Sequence, residues 1–143
     1  MKRSEVIPAV IAAVTTAASP AAVIRNTRTE ANRKVIEAKL VTDGQGYVLE
    51  VDNIAGATVS DVIKRGAFSS TSVVIMRLRL NTQTAPTGIT ADTMLDDIDA
   101  IICALLNARI GASIQGEFLD ELPLDDGLTT YQITATIITE TSS

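Results

Sequence analysis

Three groups of side chains in this 143-residue sequence have the chemistry for a catalytic or metal site. Cys103, the single cysteine, is a potential nucleophile, and four aspartates between residues 92 and 99 could bind a hard divalent cation through oxygen. The acidic segment 120–126 could supply a general acid and a general base. It contains Asp120, Glu121, Asp125 and Asp126.

Cys103, the aspartates and a glycine-containing segment each lack a feature that their chemistry needs. Cys103 has no histidine to act as its base, and the aspartates near it in sequence disfavour a reactive thiolate. The aspartates do not follow the spacing of an EF-hand loop, and the dipole of a helix is sufficient reason for acidic residues in its first turns. Gly44-Gln45-Gly46 is not followed by a helix with a phosphate-loop lysine. We therefore expect no enzyme activity, no metal and no cofactor.

The composition excludes several further classes of site. The chain has no His, no Trp and one Cys, which excludes a Ser-His-Asp triad, an imidazole metal site, a disulfide framework and an iron–sulfur cluster. Two Phe and two Tyr are too few for a platform that stacks single-stranded bases. Hydrophobic residues make up 46% of the chain and aromatic residues 3%, so we expect one domain, residues 1–143, with an aliphatic core.

Charge is divided unevenly along the chain, whose net charge is −5. Residues 1–40 carry seven basic and three acidic side chains, a net charge of +4, which leaves −9 for residues 41–143. Two explanations stay open: an uneven solvated surface, or a basic edge of one copy that meets an acidic edge of another. The acidic balance argues against tight, sequence-independent DNA binding, which needs Lys and Arg.

The N-terminus has the outline of a secretory signal, because Met1-Lys2-Arg3 precedes an apolar stretch. Glu5 and Pro8 interrupt that stretch, and Thr15 and Thr16 make it more polar. No stretch of the sequence reaches the roughly 18–20 apolar residues that span a bilayer. We expect a soluble protein made in a reducing compartment, with no signal peptide and no membrane partner.

Helical periodicity predicts two main helices. The first has Ser4 as its expected N-cap and ends at Ser19-Pro20. The second is capped by Thr90 and ends near Gly111. Residues 58–66 are either a short helix or an irregular loop. The apolar stripe of the second main helix consists of Met94, Leu95, Ile98, Ile101, Ile102, Leu105 and Leu106.

Alternation of apolar and polar residues predicts the strands. They cover residues 34–42, 47–51, 72–80, 112–119 and 128–140. The first two are expected to form a hairpin across Asp43-Gly44-Gln45-Gly46, and residues 25–33 and 81–89 are expected to be loops. The order of the elements predicts an α+β fold with a mainly antiparallel sheet and the two main helices packed on one of its faces.

Several of these segments resemble the tail terminator proteins of long-tailed bacteriophages, of the lambda gpU type. The opening Met1-Lys2-Arg3-Ser4-Glu5-Val6 and the Ala/Val/Ile helix after it are similar to the start of that family. The C-terminal half is more similar: strand 72–80, the acidic entry to the amphipathic helix 92–107, the turn Asp125-Asp126-Gly127 and the Thr-rich strand 131–139. The resemblance covers about two-thirds of the chain.

The resemblance implies a structural virion protein that forms a ring, usually a hexamer. Such a ring lies at the head-proximal end of the tail tube, ends its polymerisation and offers a surface to the head–tail connector or stopper protein. The implied partners are other copies of the chain, the tail tube protein and that connector. The implied location is the neck region of the virion, after assembly in the host cytoplasm, and DNA passes through the lumen without specific binding.

Contact surfaces, and not a catalytic site, are therefore the expected functional residues. The basic segment 25–34, the polar face of strand 72–80 and the acidic segment 120–126 are the candidates. Their charged members are Arg25, Arg28, Arg33, Lys34, Arg77, Arg79, Asp120, Glu121, Asp125 and Asp126. If Arg77 and Arg79 lie between subunits, their charge reversal weakens ring formation. We expect a lumen lined mainly by acidic and small polar side chains.

Three alternatives stay open from the sequence. Within the structural class, the chain could be a head–tail stopper or a subunit of the tail tube, although tube proteins usually need longer hairpins than those expected here. From a different class, it could be a small soluble α+β binding protein. An Asp-dependent metal hydrolase is the third, and it depends on the aspartates at 92–99.

Overall fold

The described residues of the computed structural model form three α-helices and six strands. These residues are 2–41, 45–52, 55–59, 67–110, 113–119 and 128–142. In chain order the elements are a 3-10 turn (Arg3–Glu5), α1 (Val6–Ala18), β1 (Ala22–Asn26), α2 (Glu30–Val41), β2 (Tyr47–Asp52), β3 (Ala55–Val59), β4 (Ala67–Asn81), α3 (Ala91–Asn107), β5 (Ser113–Leu119) and β6 (Leu128–Ser142).

All six strands belong to one sheet. Its main path runs β1-β2-β4-β6-β5, and β3 pairs with β4 beside that path. β1 and β2 are parallel, whereas the other pairs are antiparallel. β4 and β6 pair over their whole length, from Ala67 opposite Ser142 to Asn81 opposite Leu128. The predicted α+β fold with a mainly antiparallel sheet is thus confirmed.

The main core lies between α1, α3 and one face of the sheet, which we call the helix-covered face. Val74, Met76, Leu78 and Leu80 of β4 alternate with half-exposed neighbours and are fully or almost fully buried there. Ile133 and Ala135 of β6 lie opposite Met76 and Val74, and Ile137 is buried on the same face. Two amphipathic helices cover these side chains because their own apolar residues recur every three to four positions: Val10 and Val14 in α1, Met94, Ile98, Ile101 and Leu105 in α3.

The two main helices begin differently. Thr90 caps α3 as predicted, because its side-chain oxygen accepts a hydrogen bond from the Thr93 backbone N–H at 3.4 Å. The predicted cap of α1 is wrong: Ser4 lies inside the 3-10 turn, and Glu5 is the residue that precedes α1. The Glu5 carboxylate accepts the Lys2 backbone N–H at 2.9 Å, which holds this turn before the helix.

The largest difference from the sequence prediction lies in residues 22–41. Instead of a loop over 25–33 and a strand over 34–42, they form β1 and the helix α2. Ile36 and Leu40 fit both an alternating strand and one face of a helix, and α2 buries them against Val48 and Ile24 on the other face of the sheet. The expected hairpin with residues 47–51 is therefore wrong, and a helical crossover joins the parallel strands β1 and β2.

Both ends of α2 are tied to the rest of the fold. Thr29 Oγ1 accepts the Asn32 backbone N–H at 3.2 Å at the start of the helix. At the other end, the Leu40 carbonyl accepts from Asn81 Nδ2 at 3.2 Å and from Thr84 Oγ1 at 2.5 Å. Gly46 follows with a φ of 56°, and a side chain there would overlap the backbone of Ala85.

Of the remaining predicted elements, some are confirmed, one is wrong and some lie outside the described residues. Strands over 47–51, 72–80, 112–119 and 128–140 are confirmed to within a few residues at their ends, as is the loop over 81–89. A helix that starts at Thr58 is wrong, because Thr58 lies in β3. The rest of that predicted segment, residues 60–66, lies outside the described residues, as do Asp43 and Gly44 of the predicted turn.

Tyr47 joins β2 to α3 and makes stability depend on pH. Its hydroxyl donates a hydrogen bond to Asp97 Oδ2 at 2.6 Å. Burial is the main cause that raises the pKa of Tyr47 above its ordinary value, and this hydrogen bond is the second. The tyrosine of the unfolded chain ionises near pH 10. The stabilisation of the fold by the Tyr47–Asp97 hydrogen bond is therefore complete below about pH 10 and declines as the pH rises further.

We expect Tyr47→Phe to lower the free energy of unfolding by about 1–2 kcal/mol at neutral pH, because a part-buried hydrogen bond to a charged group is lost. Above about pH 10 the difference from the unmodified protein should shrink, by up to about 1.4 kcal/mol per pH unit. Urea unfolding of both proteins at neutral and alkaline pH measures this. Two stability curves that stay parallel across the alkaline range would contradict the assignment.

Candidate functional site

A cluster of paired charges lies on the sheet face opposite α1 and α3, which we call the open face although α2 covers its β1–β2 end. At its centre are Glu50 and Asp52 of β2, each only 4% exposed. Two arginines predicted as contact residues, Arg77 and Arg79, lie beside them on β4, because Glu50 is the cross-strand partner of Arg77. Arg28 reaches the cluster from the connection between β1 and α2.

The contacts in this cluster are numerous and mostly charged. Arg28 binds Asp52 through two atoms, with Nε and Nη2 each 3.1 Å from a carboxylate oxygen. Arg77 Nη1 lies 3.5 Å from Asp52 and 3.9 Å from Glu50, and Arg79 Nη2 lies 3.6 Å from Glu50. Carboxylates surrounded in this way by guanidinium groups link the neighbouring strands and the β1–α2 connection.

Neutral polar side chains complete the cluster. Asn26 donates its side-chain N–H to Glu50, and Arg77 Nε donates to Gln132 of β6 at 3.2 Å. A polar row therefore crosses the sheet from Glu50 through Arg77 and Gln132 to Glu117 on β5. The two buried carboxylates depend on these neighbours because a buried charge without partners costs several kcal/mol.

The connection between β1 and α2 is shaped by its contacts with this cluster. Arg28 has a φ of 61°, and its backbone N–H donates to Asn26 Oδ1 at 2.8 Å. The hydrogen bond to Asp52, and then its charge, raises the pKa of Arg28, whose side chain is otherwise largely exposed. An open cleft of about 430 Å³ lies at this point, lined by Asn26, Arg28, Thr29, Glu30 and Arg33.

The other predicted contact residues are more dispersed. Arg25 is exposed on β1, and Arg33 and Lys34 are exposed on α2, where Lys34 lies 3.9 Å from Glu30 one turn earlier. The structure thus places Arg28, Arg77 and Arg79 together, and leaves Arg25, Arg33 and Lys34 outside that cluster. Asp120, Glu121, Asp125 and Asp126 lie outside the described residues.

The candidate nucleophile and the aspartates considered for metal binding lie on α3. Cys103 is exposed, Asp92, Asp96 and Asp99 are exposed, and Asp97 accepts the hydrogen bond from Tyr47. Within the described ranges, no three Cys, Asp or Glu side chains are grouped to hold a metal ion. No helix in those ranges is long and apolar enough to cross a membrane.

Sequence reasoning missed the acidic half of the cluster. Glu50 lies in the middle of an apolar strand, where a charged side chain is unusual, and this was the available signal. The sequence does not show that Arg77 is the partner of Glu50, because the register of the sheet, and not their spacing in the chain, brings the two residues together.

The chain matches no protein-family model and shows no similarity to curated proteins. The geometry of its own residues therefore carries the functional argument.

We expect Arg77→Ala to lower the free energy of unfolding by about 2–3 kcal/mol, because Asp52 and Glu50 stay buried with fewer positive partners. Arg33→Ala is the matched control, since Arg33 is exposed on α2 and its loss should change stability by about 0.5 kcal/mol or less. Urea unfolding measures both. Equal effects of the two substitutions would show that the cluster contributes little to stability.

Charge reversal at Arg77 or Arg79 would consequently act on the monomer as well as on any subunit interface. A role of these two arginines between subunits stays a prediction. An assembly experiment on either of them needs a measurement of folding beside it.

Proposed function

We propose that this protein is a structural virion subunit of the tail terminator kind. It forms a ring at the head-proximal end of a phage tail tube, ends polymerisation of the tube and joins it to the head connector or stopper while DNA passes through. The observation that carries the proposal is the open face of the sheet, which has the properties of a wall along which DNA moves without binding.

The charges that β2 and β4 contribute to the open face are compensated within the chain. Arg77 and Arg79 are the basic residues that β4 contributes; Arg77 is paired with Glu50 and Asp52, and Arg79 is paired with Glu50. Beside them, β6 presents Gln132, Thr134 and Thr136, and β5 presents Gln115 and Glu117. DNA binding without sequence specificity depends on available Lys and Arg, and guanidinium groups already paired with carboxylates supply less of that attraction.

The aromatic residues stand on the opposite side of the sheet. The chain has two Phe and two Tyr, and strand alternation puts Tyr47, Phe68, Phe118 and Tyr131 on the helix-covered face. Bases that pass the open face would therefore meet no aromatic platform on which to stack. A channel through which DNA passes without being retained needs both features: paired guanidinium groups and no exposed aromatic rings along its wall.

The remaining parts of the proposal follow from the resemblance. The protein is proposed to be non-enzymatic, to act in the neck of the virion after assembly in the host cytoplasm, and to contact copies of itself, the tail tube protein and the connector. The +4 and −9 division of charge supports two unlike surfaces on each copy. A ring requires such a pair, because a closed ring is built from heterologous contacts.

The alternatives differ in what they predict for the isolated protein. A stopper or tube subunit also assembles, whereas a small soluble α+β binding protein stays a monomer. Addition of the chain to growing tail tubes separates the structural roles: a terminator stops growth, and a tube subunit extends it.

We expect rings of about six copies in light scattering and negative-stain images, alone or on the ends of tail tubes. The physical reason is that the chain carries two unlike surfaces that close a ring only when several copies meet. A protein that stays monomeric at high concentration, and also leaves tail tubes free to elongate, would refute the proposal.

We expect the assembled protein not to retain duplex DNA in a mobility assay at an ionic strength of about 0.15 M. The variant Gln132→Lys/Thr134→Lys is the comparison, because it adds uncompensated positive charge to the open face and should retain DNA in a salt-dependent way. Retention of DNA by the unmodified protein would show that the open face, or another surface, is a binding site.

A further inference from the structure

The main path of the sheet ends in two unlike edges, at β1 and at β5. In the described part of the chain, β1 pairs only with β2, and β5 pairs only with β6. Each strand thus has a row of backbone N–H and C=O groups on the side that faces away from the sheet. β5 contains no Pro or Lys, which proteins commonly use to protect an edge, and most of its residues are exposed.

The directions of these strands suit a continuous sheet across copies. β1 is parallel to β2, and the antiparallel pairs β2–β4, β4–β6 and β6–β5 then make β5 run opposite to β1. Rotation about a ring axis preserves the component of each strand along that axis, so in a sheet that continues around the ring β5 of one copy and β1 of the next meet as an antiparallel pair. Such a contact joins two different surfaces and is heterologous, as a ring requires.

The charges favour this pairing over contacts between like edges. Arg25 is the one charged residue of β1, and Glu117 is the one charged residue of β5. Two β5 edges would bring Glu117 next to its copy, and two β1 edges would bring together Arg25 side chains. The β1–β5 combination avoids both repulsions, which is a common source of pairing specificity.

An exposed aromatic pair marks the β5 edge. Phe118 is 54% exposed and meets the ring of Tyr131 edge to face, with 4.8 Å between ring centroids and 79° between planes. The Tyr131 ring leans across Gly116, where any side chain would overlap it. Half-exposed aromatic rings held in place by a neighbour are typical anchors of protein interfaces.

Strand alternation determines which residues of β1 meet this pair. Val23 and Arg25 share the helix-covered face with Leu49 and Val51, just as Gly116 and Phe118 share it with Tyr131. Because side chains alternate with a period of two, registers that keep the faces continuous put Val23 and Arg25 opposite residues of the set Ile114, Gly116 and Phe118. In the register that places Val23 opposite Phe118, Arg25 lies opposite Gly116, over which the Tyr131 ring leans. An apolar side chain and a guanidinium are both suitable partners for an aromatic ring.

We propose that β1 of one copy of this chain binds the β5 edge of the next copy in antiparallel register, with Val23 and Arg25 covering the Phe118–Tyr131 pair. The inference rests on the proposed function, because it states which surfaces close the ring. It extends that function by naming the contact and its partner, a second copy of this chain.

Cross-linking tests the contact without altering the residues that form it. Ala22 and Glu117 both lie on the open face, so their Cβ atoms come close in the proposed pair. The variant Ala22→Cys/Glu117→Cys, in a Cys103→Ser background that removes the exposed native thiol, is treated with a short bismaleimide. We expect a ladder of covalent oligomers that ends at the ring size, and no cross-linked product from either single-cysteine variant.

Matched substitutions test the aromatic anchor. Phe118→Ser should weaken self-association by about tenfold or more, because it removes the anchor of the interface. Leu106→Ser is the control, since Leu106 on α3 is exposed to a similar extent, 57% against 54%, and lies outside the proposed contact. Light scattering over a concentration series measures both, and thermal unfolding confirms that both variants fold.

The outcomes separate this inference from the proposed function. Rings whose double-cysteine variant gives no ladder, or whose assembly responds equally to Phe118→Ser and Leu106→Ser, would overturn the β1–β5 contact and leave the ring proposal standing. Dimers cross-linked by Glu117→Cys alone would show β5–β5 pairing and overturn it too. A chain that is monomeric alone and on tail tubes would overturn both proposals.

Discussion

Two carboxylates buried in one strand constrain the whole open side of the sheet. Glu50 and Asp52 lie in β2 with almost no access to water, so they need positive and hydrogen-bonding neighbours at fixed positions. β4 supplies Arg77 and Arg79 by its register, and the β1–α2 connection supplies Arg28. The register of β2 against β4 and the path of the β1–α2 connection must therefore both place a guanidinium group beside these carboxylates.

The elements that could be predicted from the sequence are those in which apolar residues recur with a single period, either that of a strand or that of a helix. β4, β6 and α3 carry long, unambiguous patterns, and each was predicted to within a few residues at its ends apart from the N-terminal extension of β4. The segment 34–41 failed because Ile36, Ala38 and Leu40 satisfy a strand and nearly satisfy a helix, and the packing of Ile36 and Leu40 on Val48 decides between them. The parallel β1–β2 pair has no local signal at all.

Only the basic half of the candidate site could be predicted from the sequence, because the pairing of strands has no local signal. Arg77 and Arg79 stand out as charges in an apolar strand, but their partners are 27 and 29 residues away in the chain at Glu50 and are chosen by register. A basic strand face looked like a surface for another molecule, and the structure shows that its first partner is internal. What a copy of this chain offers to its surroundings is consequently the edges and polar rows that remain after that pairing.

The ladder between β4 and β6 has a mechanical consequence. Fifteen residue pairs connect the two strands without an interruption, from Ala67 opposite Ser142 to Asn81 opposite Leu128. The bonds of an antiparallel ladder are perpendicular to the strands, so a pull along the strand axis loads all of them in shear at once instead of opening them one after another. A chain with such a ladder bears tension best along that axis.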